Sequence, residues 1–285
     1  MRKLIADSGS TKTDWVKIIE NDSSVAEFEA FSCRGLNPHF LTSDEIEIEL
    51  RSVGEALGNS FDQICFYGAG IGNPQMVRKI EECVSNVFDC PDIKADSDIE
   101  GAAQAVLGDT PGIACIMGTG SNSCHYNGTN IDRKAVSLGY ILDDNGGGVA
   151  FGRRLISDVF KGLAPSEIID VFQKKYDLTV PEIVNHVYSR PSANRWIAGF
   201  MPFILEQKDH PYISNLIKTQ IKIFLDREFH IYTHKELKEE GIGFVGSVAH
   251  LLSDEITEEL ESRGWKSRGI LRKPLDKLTH INENL

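Results

Sequence analysis

The sequence predicts an α/β protein of two domains, and three observations carry that expectation. A hairpin unit, in which an apolar strand runs into a turn of Gly, Ser and Thr and a second strand leaves it, occurs twice, as LIADSGSTKTDWVKI at residues 4–18 and IACIMGTGSNSCHY at residues 113–126. After the first unit, strand and helix patterns alternate. At 285 residues the chain is long enough for two units that each bury a core.

The elements follow in order. Strands over residues 2–7 and 14–19 lead through the turn signal Glu20-Asn21-Asp22-Ser23 to a third strand over 25–31, a three-stranded meander. Thr42-Ser43-Asp44-Glu45 reads as a capping box that opens an amphipathic helix through Leu57. Residues 64–67 form a short buried strand ending in Gly68-Ala69-Gly70-Ile71-Gly72, and Asn73 and Pro74 start a helix through about Phe88. Ala95 leads into Asp98 and a small-residue helix around 101–105. Gly108-Asp109-Thr110-Pro111-Gly112 is the clearest break and the expected domain boundary. The second hairpin follows, with Asn127-Gly128 as a further hairpin turn. Residues 153–240 read as mostly helical with breaks near Pro165, Pro181 and Pro191, and residues 242–249 return to strand and turn. The tail from Trp265 is too poor in apolar residues to fold alone and is expected to dock on the first domain.

Composition is that of a soluble globular chain, with 41% hydrophobic and 25% charged residues. A formal charge of −12 disfavours nonspecific binding to nucleic acid or to anionic membrane, both of which need neutralisation by Lys and Arg. The cysteines at 33, 65, 83, 90, 115 and 124 form no C-x-x-C pair and no zinc spacing, and Cys65 and Cys115 lie in apolar runs, as buried thiols do. That usage points to a reducing compartment. The apolar run after Arg2 and Lys3 stops at Asp7, too short for a signal peptide or a membrane span, so a cytoplasmic location is expected.

Turns free of bulky side chains let backbone N–H groups and hydroxyls converge on an anion, so two of them suggest a clamp for one polyphosphate. Asp7 comes directly off the first strand, where its carboxylate would repel phosphate unless a divalent cation lay between them. Neither turn is a P-loop, since neither has G-x-x-x-x-G-K-[ST] or opens a helix. Gly243-Phe244-Val245-Gly246-Ser247-Val248-Ala249 is a third glycine-rich turn, where backbone could approach a flat ligand such as a nucleoside. Asp98, at the start of a helix, reads locally as an N-cap. Asp143-Asp144-Asn145-Gly146-Gly147-Gly148 lacks the spacing of a calcium loop and reads either as a substrate loop or as a plain surface loop. His230 and His234 have the spacing of a metal pair, but Ile231 stands where H-E-x-x-H needs its carboxylate, so a structural role is expected.

Taken in order, DSGSTKTDW at 7–15, GAGIG at 68–72, GTGSNS at 118–123 and GFVGSVA at 243–249 resemble the superfamily of sugar kinases, hsp70 and actin ATPases. Within it the chain is most similar to the N-acetylglucosamine kinases and the related BadF/BadG-type ATPases, over nearly its whole length. The resemblance implies two ribonuclease-H-like α/β domains with ATP and Mg²⁺ in the cleft between them. The first would span residues 1–110, completed by the tail 270–285, and the second residues 111–269 with a helical insertion. Gly9, Ser10, Thr11 and Thr13 would hold the outer phosphates, with Asp7 acting on the magnesium through water. Gly118, Thr119 and Gly120 match the second phosphate loop, and Gly246 and Ser247 the adenosine motif. Asn37, Asn122 and Asp144 fall at sugar-side positions, and Asp98 at the catalytic base. Where relatives carry GDEGS this chain has Asp143-Asp144-Asn145-Gly146-Gly147, which keeps only the central Asp and the Gly after the Glu position. The activity implied is transfer of the γ-phosphoryl group of ATP to an amino sugar, foremost the 6-hydroxyl of N-acetylglucosamine, by a homodimer. Two alternatives are an ATPase that activates a partner enzyme through a shared iron–sulfur cluster, with Cys124 as the one candidate ligand, and a nucleotide-dependent sugar sensor.

Overall fold

In a computed structural model, which describes residues 1–281 apart from 10, 22–23 and 191, the chain divides into two units. The first comprises Met1–Asp109, Gly128–Asn130 and the chain from Lys273 onward; the second comprises Thr110–Asn127 and Ile131–Arg272.

The first unit opens with the meander β1 (Arg2–Ser8), β2 (Lys12–Asn21) and β3 (Ser24–Arg34), followed by α1 (Ser43–Leu57), β4 (Gln63–Gly68), α2 (Pro74–Val87), β5 (Asp92–Ser97) and α3 (Asp98–Leu107). The sheet order is β3-β2-β1-β4-β5, with β2 antiparallel to both neighbours and β4 and β5 parallel to β1. Local chemistry sets the helix starts. Thr42 Oγ1 accepts the Glu45 N–H while the Glu45 carboxylate accepts the Thr42 N–H, and Asn73 Oδ1 accepts the N–H groups of Gln75 and Met76. Each such cap is worth about 1 kcal/mol. Strand alternation then sorts the sheet's faces. Leu4, Ala6, Trp15 and Phe66 join α1 and α2 in one core, with the Trp15 and Phe66 rings 5.8 Å apart. Asp7 and Tyr67 lie on the opposite face, where α3 packs so closely that a Cβ at Gly101 would sit 2.7 Å from the Tyr67 ring.

The second unit contains β6 (Gly112–Met117), β7 (Ser121–Tyr126), β8 (Ile131–Lys134), α4 (Gly139–Leu142), α5 (Gly148–Phe160), α6 (Ser166–Tyr176), α7 (Val180–Tyr188), α8 (Ala193–Ala198), α9 (Met201–Glu206), α10 (Pro211–Glu228), β9 (Ile242–Val245), α11 (Ser247–Leu251), α12 (Ser253–Ser262) and β10 (Ser267–Leu271). Its sheet order, β10-β9-β6-β7-β8, is the first sheet's order again, with β6 in the place of β1 and β7 the antiparallel strand. Ile113, Cys115 and Met117 of β6 pack with Phe151 and Leu155 of α5 and Phe224 of α10. A last helix, α13 (Leu275–Ile281), returns to the first unit, where it packs on α3, β1 and β2.

Two sequence expectations need correction, and a third is met. The tail from Trp265 does not dock as one piece on the first unit: β10 pairs in parallel with β9 through Ile270 and Leu271, so only the chain from Lys273 joins the first unit. The expected boundary at 269/270 therefore falls inside a strand, because two paired apolar residues suffice to extend an existing sheet edge. The break expected near Pro181 is present at residues 177–179, between α6 and α7, and Pro181 itself lies in the first turn of α7, where an N–H would have no intrahelical partner. Asp98 is not an N-cap. Ser97 occupies that position, and Asp98 is the first helical residue. Pro191 lies outside the described residues. Among the described residues no helix is long and apolar enough to cross a membrane.

Candidate active site

In the first unit, Ser8 pairs with Thr13 across the first glycine turn and Asp7 with Asp14, so the two carboxylates share one face of the hairpin. They live in different fields. Burial opposes ionisation of Asp14, but hydrogen bonds from Lys12, Lys273 and Ser32 hold its carboxyl down to about 2. Burial pushes Asp7 up to about 7, reinforced by the carboxylates of Asp98, Asp14 and Asp276, with Lys273 opposing. Asp98 is brought to Asp7 by the start of α3, and its Oδ1 accepts the N–H of Ile99. A half-buried acid short of positive charge beside a glycine turn is a place where a divalent cation would bind favourably. Among the described residues no three His, Cys, Asp or Glu side chains converge as a direct ligand set.

The turn itself is built from its backbone. The Gly9 N–H donates to the Lys12 carbonyl at 3.0 Å, and the Thr11 carbonyl accepts the Gly35 N–H at 3.1 Å. Thr11 is exposed, whereas Ser10 lies outside the described residues. Thr13 departs from the sequence expectation. Strand alternation turns it inward, fully buried, where its hydroxyl meets Ser8 Oγ at 2.8 Å and donates to the Arg34 carbonyl at 3.0 Å. It supports the turn and does not offer a hydroxyl to a phosphate. Ser8 Oγ in turn accepts the Leu36 N–H, which leads the chain into the loop carrying Asn37. Asn37 is almost enclosed: its Oδ1 accepts the His39 N–H, and Gly70, at φ +84°, lies so close that a Cβ would stand 2.4 Å from that oxygen. Lys79 on α2 ties the same loop down by donating to the carbonyls of Pro38 and Leu41.

In the second unit the Gly118-Thr119-Gly120 turn is closed by the Gly118 N–H on the Gly120 carbonyl at 2.9 Å. The acidic glycine loop lies directly against it. Asp144 Oδ1 accepts the Ser121 N–H at 2.8 Å, the Gly146 N–H donates to Ser121 Oγ, and the N–H groups of Gly148 and Val149 donate to the carbonyls of Gly118 and Thr119. The contact is too close for side chains: a Cβ on Gly120 would lie 2.6 Å from the Asp144 carboxylate, and one on Gly147 2.5 Å from Gly120 Cα. Asp144 itself has φ +59°, a left-handed conformation that Asp tolerates better than most residues. The loop is therefore neither plain surface nor free for substrate along its length. Asp144, expected on the sugar side, has one carboxylate oxygen engaged by the Ser121 N–H at the end of the Gly118–Gly120 turn. Asn122 is separated from that loop by strand alternation, since Ser121 and Ser123 face the loop side and Asn122 the other, with its Oδ1 accepting the Ser123 N–H. The third glycine turn completes the cluster. Gly246, at φ +128°, touches the Met117–Gly118 peptide, where a Cβ would lie 2.3 Å from the Met117 carbonyl oxygen, and Ser247 is exposed beside it at the start of α11. The expected second phosphate turn and the expected adenosine turn thus pack as one assembly.

Sequence reasoning missed the side chains behind these turns. Gln220 and Phe224 of α10 reach the 143–148 loop, yet their spacing of four reads as an ordinary buried helix stripe. Lys79 gave no signal at all. The Nδ1 of His230 lies 2.6 Å from the Arg227 carbonyl oxygen.

Two sheets of equal strand order, each with a glycine turn after its first strand, define the actin-like ATPase fold that sugar kinases share. Comparison of the sequence with protein-family profiles and with curated proteins gives no match. Solved structures do match. A Porphyromonas gingivalis protein named as a putative N-acetylglucosamine kinase is 36% identical, with a TM-score of 0.91, over 99% of this chain and 98% of that one. The chain belongs to this N-acetylglucosamine kinase family. A second protein so named, from Chromobacterium violaceum, is 14% identical with a TM-score of 0.71 over 98% of each chain. A ROK family glucokinase from Streptomyces griseus, in complex with glucose and AMPPNP, is 12% identical with a TM-score of 0.59 over 99% of this chain and 98% of its own. These last two share the fold.

Proposed function

We propose that the protein is an ATP-dependent kinase that phosphorylates an amino sugar, foremost N-acetylglucosamine at its 6-hydroxyl. The observation that carries the reading is the pair Asp7 and Asp98 beside the first glycine turn, one acid poised for a cation and the other for a proton. It is supported by membership of a family whose P. gingivalis relative bears that name and by a fold whose S. griseus example binds glucose and AMPPNP.

On this reading the Gly9–Thr11 and Gly118–Gly120 turns hold the phosphates, Gly246 and Ser247 border the adenosine, and Asp7 orients a hydrated Mg²⁺. The ion, when bound, offsets charge on the β- and γ-phosphates. Asp98 accepts the proton of the acceptor hydroxyl as that oxygen forms its bond to the γ-phosphorus. The bond from γ-phosphorus to the β,γ-bridging oxygen breaks, and ADP leaves. Positioning and charge stabilisation carry most of such a transfer. Asn37, held by Gly70 and the loop that Lys79 secures, serves the acceptor side.

The test is ADP release from Mg·ATP across N-acetylglucosamine, glucosamine, N-acetylmannosamine, glucose and no sugar, with the product identified by mass. Stimulation by N-acetylglucosamine with formation of its 6-phosphate is expected; turnover indifferent to every sugar would overturn the reading. The iron–sulfur activator reading depends on Cys124, and that thiol is fully buried.

A further inference from the structure

The loop that carries Asn37 is anchored at both ends, and the two anchors differ. At its start, three successive residues are pinned to the first glycine turn. The Arg34 carbonyl accepts from Thr13 Oγ1 at 3.0 Å, the Gly35 N–H donates to the Thr11 carbonyl at 3.1 Å, and the Leu36 N–H donates to Ser8 Oγ at 3.1 Å. Each hydroxyl has one proton to give, and that of Thr13 goes to Arg34, so Ser8 is the donor in the 2.8 Å contact between the two hydroxyls. The start of the loop is thus part of the turn. Its far end depends on α2, where Lys79 Nζ donates to the carbonyls of Pro38 at 2.9 Å and Leu41 at 2.7 Å. Lys79 stays at this segment because α2 packs along the chain leading into α1: Cys83, four residues on, puts its thiol 3.9 Å from the Ser43 carbonyl, and Asn86 Nδ2 donates to Glu47 at 2.9 Å.

Between the anchors sits Asn37, only 9% exposed. Its carbonyl accepts the Phe40 N–H at 3.1 Å, and its Oδ1 accepts the His39 N–H at 3.0 Å, which identifies the oxygen end of the amide. The NH2 end has no hydrogen-bond partner among the described residues. A nearly enclosed amide NH2 without a partner calls for an oxygen from a ligand. We propose that Lys79 is a positioning residue for acceptor binding: by holding the Pro38 and Leu41 carbonyls it fixes the turn on which Asn37 sits, and so sets where the Asn37 NH2 meets an oxygen of the sugar. Ser8 and Thr13 belong to the glycine turn, and replacing them would disturb both ends of the reaction. Lys79 acts through the acceptor loop alone, so its removal separates acceptor binding from nucleotide binding. The inference rests on the kinase reading above, with Asn37 on the acceptor side.

Lys79→Met keeps the aliphatic stem and removes the ammonium group. Steady-state kinetics should show KM for N-acetylglucosamine raised about tenfold with ATP affinity within about twofold of wild type. Lys79→Arg, which still offers donors to the two carbonyls, should recover part of the loss. Cys83→Ala loosens the same face of α2 one turn away; it should lower Tm and leave that KM within about twofold of wild type. An unchanged KM in Lys79→Met, an equal rise in Cys83→Ala, or a matching loss of ATP affinity would each overturn the positioning role. Hydrogen exchange of the sugar-free protein tests the tie itself. The amides of His39 and Phe40, both bonded to Asn37, should lose protection about fivefold or more in Lys79→Met. Undiminished protection would show that Lys79 does not hold the turn, whatever the substrate. A wild type that turns over no sugar would instead end the acceptor reading, and with it this role, while the exchange result for the loop would stand.

Discussion

The two units fold the same sheet and then use it differently. One step back from the glycine turn, the first hairpin pairs Asp7 with Asp14, and the second pairs Ile116 with Asn122. Two steps of identical backbone therefore present a field of carboxylates in one unit and an uncharged pair in the other. Support for the turns differs correspondingly. The first is backed by hydroxyls, Ser8 and Thr13, and by the Lys12 and Lys273 ammonium groups on Asp14. The second is backed by main-chain hydrogen bonds to the Gly118 and Thr119 carbonyls together with the Asp144 carboxylate and the Ser121 hydroxyl, with glycines packed closely among them. The difference teaches that the repeated topology fixes where a ligand can be approached, while the residues one step from the turn decide whether the approach manages charge or offers amides.

That contrast can be broken most severely at Asp98. Asp98→Asn should reduce sugar-dependent ADP release on the order of 10²-fold or more while leaving ATP affinity within about twofold; a variant of near wild-type rate would end the assignment of charge management to the first unit. The second unit's dependence on close glycine packing is tested by Gly246→Ala, which introduces a methyl group at φ +128° against the Met117 carbonyl. A loss of about 2–4 kcal/mol in denaturant unfolding is expected. Gly58→Ala, at φ +96° but with open space around it, should cost only about 1 kcal/mol.

Asp7→Asn sharpens the comparison from the other side. The folded-state pKa of Asp7 is raised from 3.8 to about 7, so the native carboxyl holds its proton more tightly than the unfolded one. Its neutral form suits the fold fully below the unfolded value, and stability is lost as pH rises through the folded one. Without cation or nucleotide, the variant should therefore be more stable than wild type at pH 8, by about 1 kcal/mol after allowing for solvent screening, and indistinguishable from it near pH 3.5. Calorimetric or thermal-shift curves across that range report it. Asp14 behaves in the opposite sense: its pKa is lowered to about 2, so its contribution is present above 3.8 and fades as pH falls through 2. Lys273→Met should remove part of it, under about 1 kcal/mol at pH 7, with the two acid-unfolding curves converging near pH 2.

Local chemistry made much of this readable in the sequence. The capping box at Thr42, the Asn73-Pro74 start and both glycine hairpins are short-range devices, and each appears where its residues dictate. β10 was not readable because its pairing is supplied by β9, over twenty residues away, and its own run is short and half-exposed. Asp98 misled because Ser97, equally able to cap, stands just before it. Thr13 and Asn122 carry the right chemistry in the right motif, but one step of strand alternation decides which way each side chain turns. The α10 stripe is invisible for a different reason: core packing and loop clamping use the same spacing of four.

The tie between Lys273 and Asp14 spans 259 residues of chain. A ribosome that has finished β1 to α3 has therefore not yet made the helix that covers part of their sheet, nor the ammonium group that neutralises Asp14. The whole second unit is synthesised in between. The part of the molecule that is made first is completed last, so a nascent chain halted before Lys273 would expose an acidic, uncovered face to whatever chaperone stands at the exit.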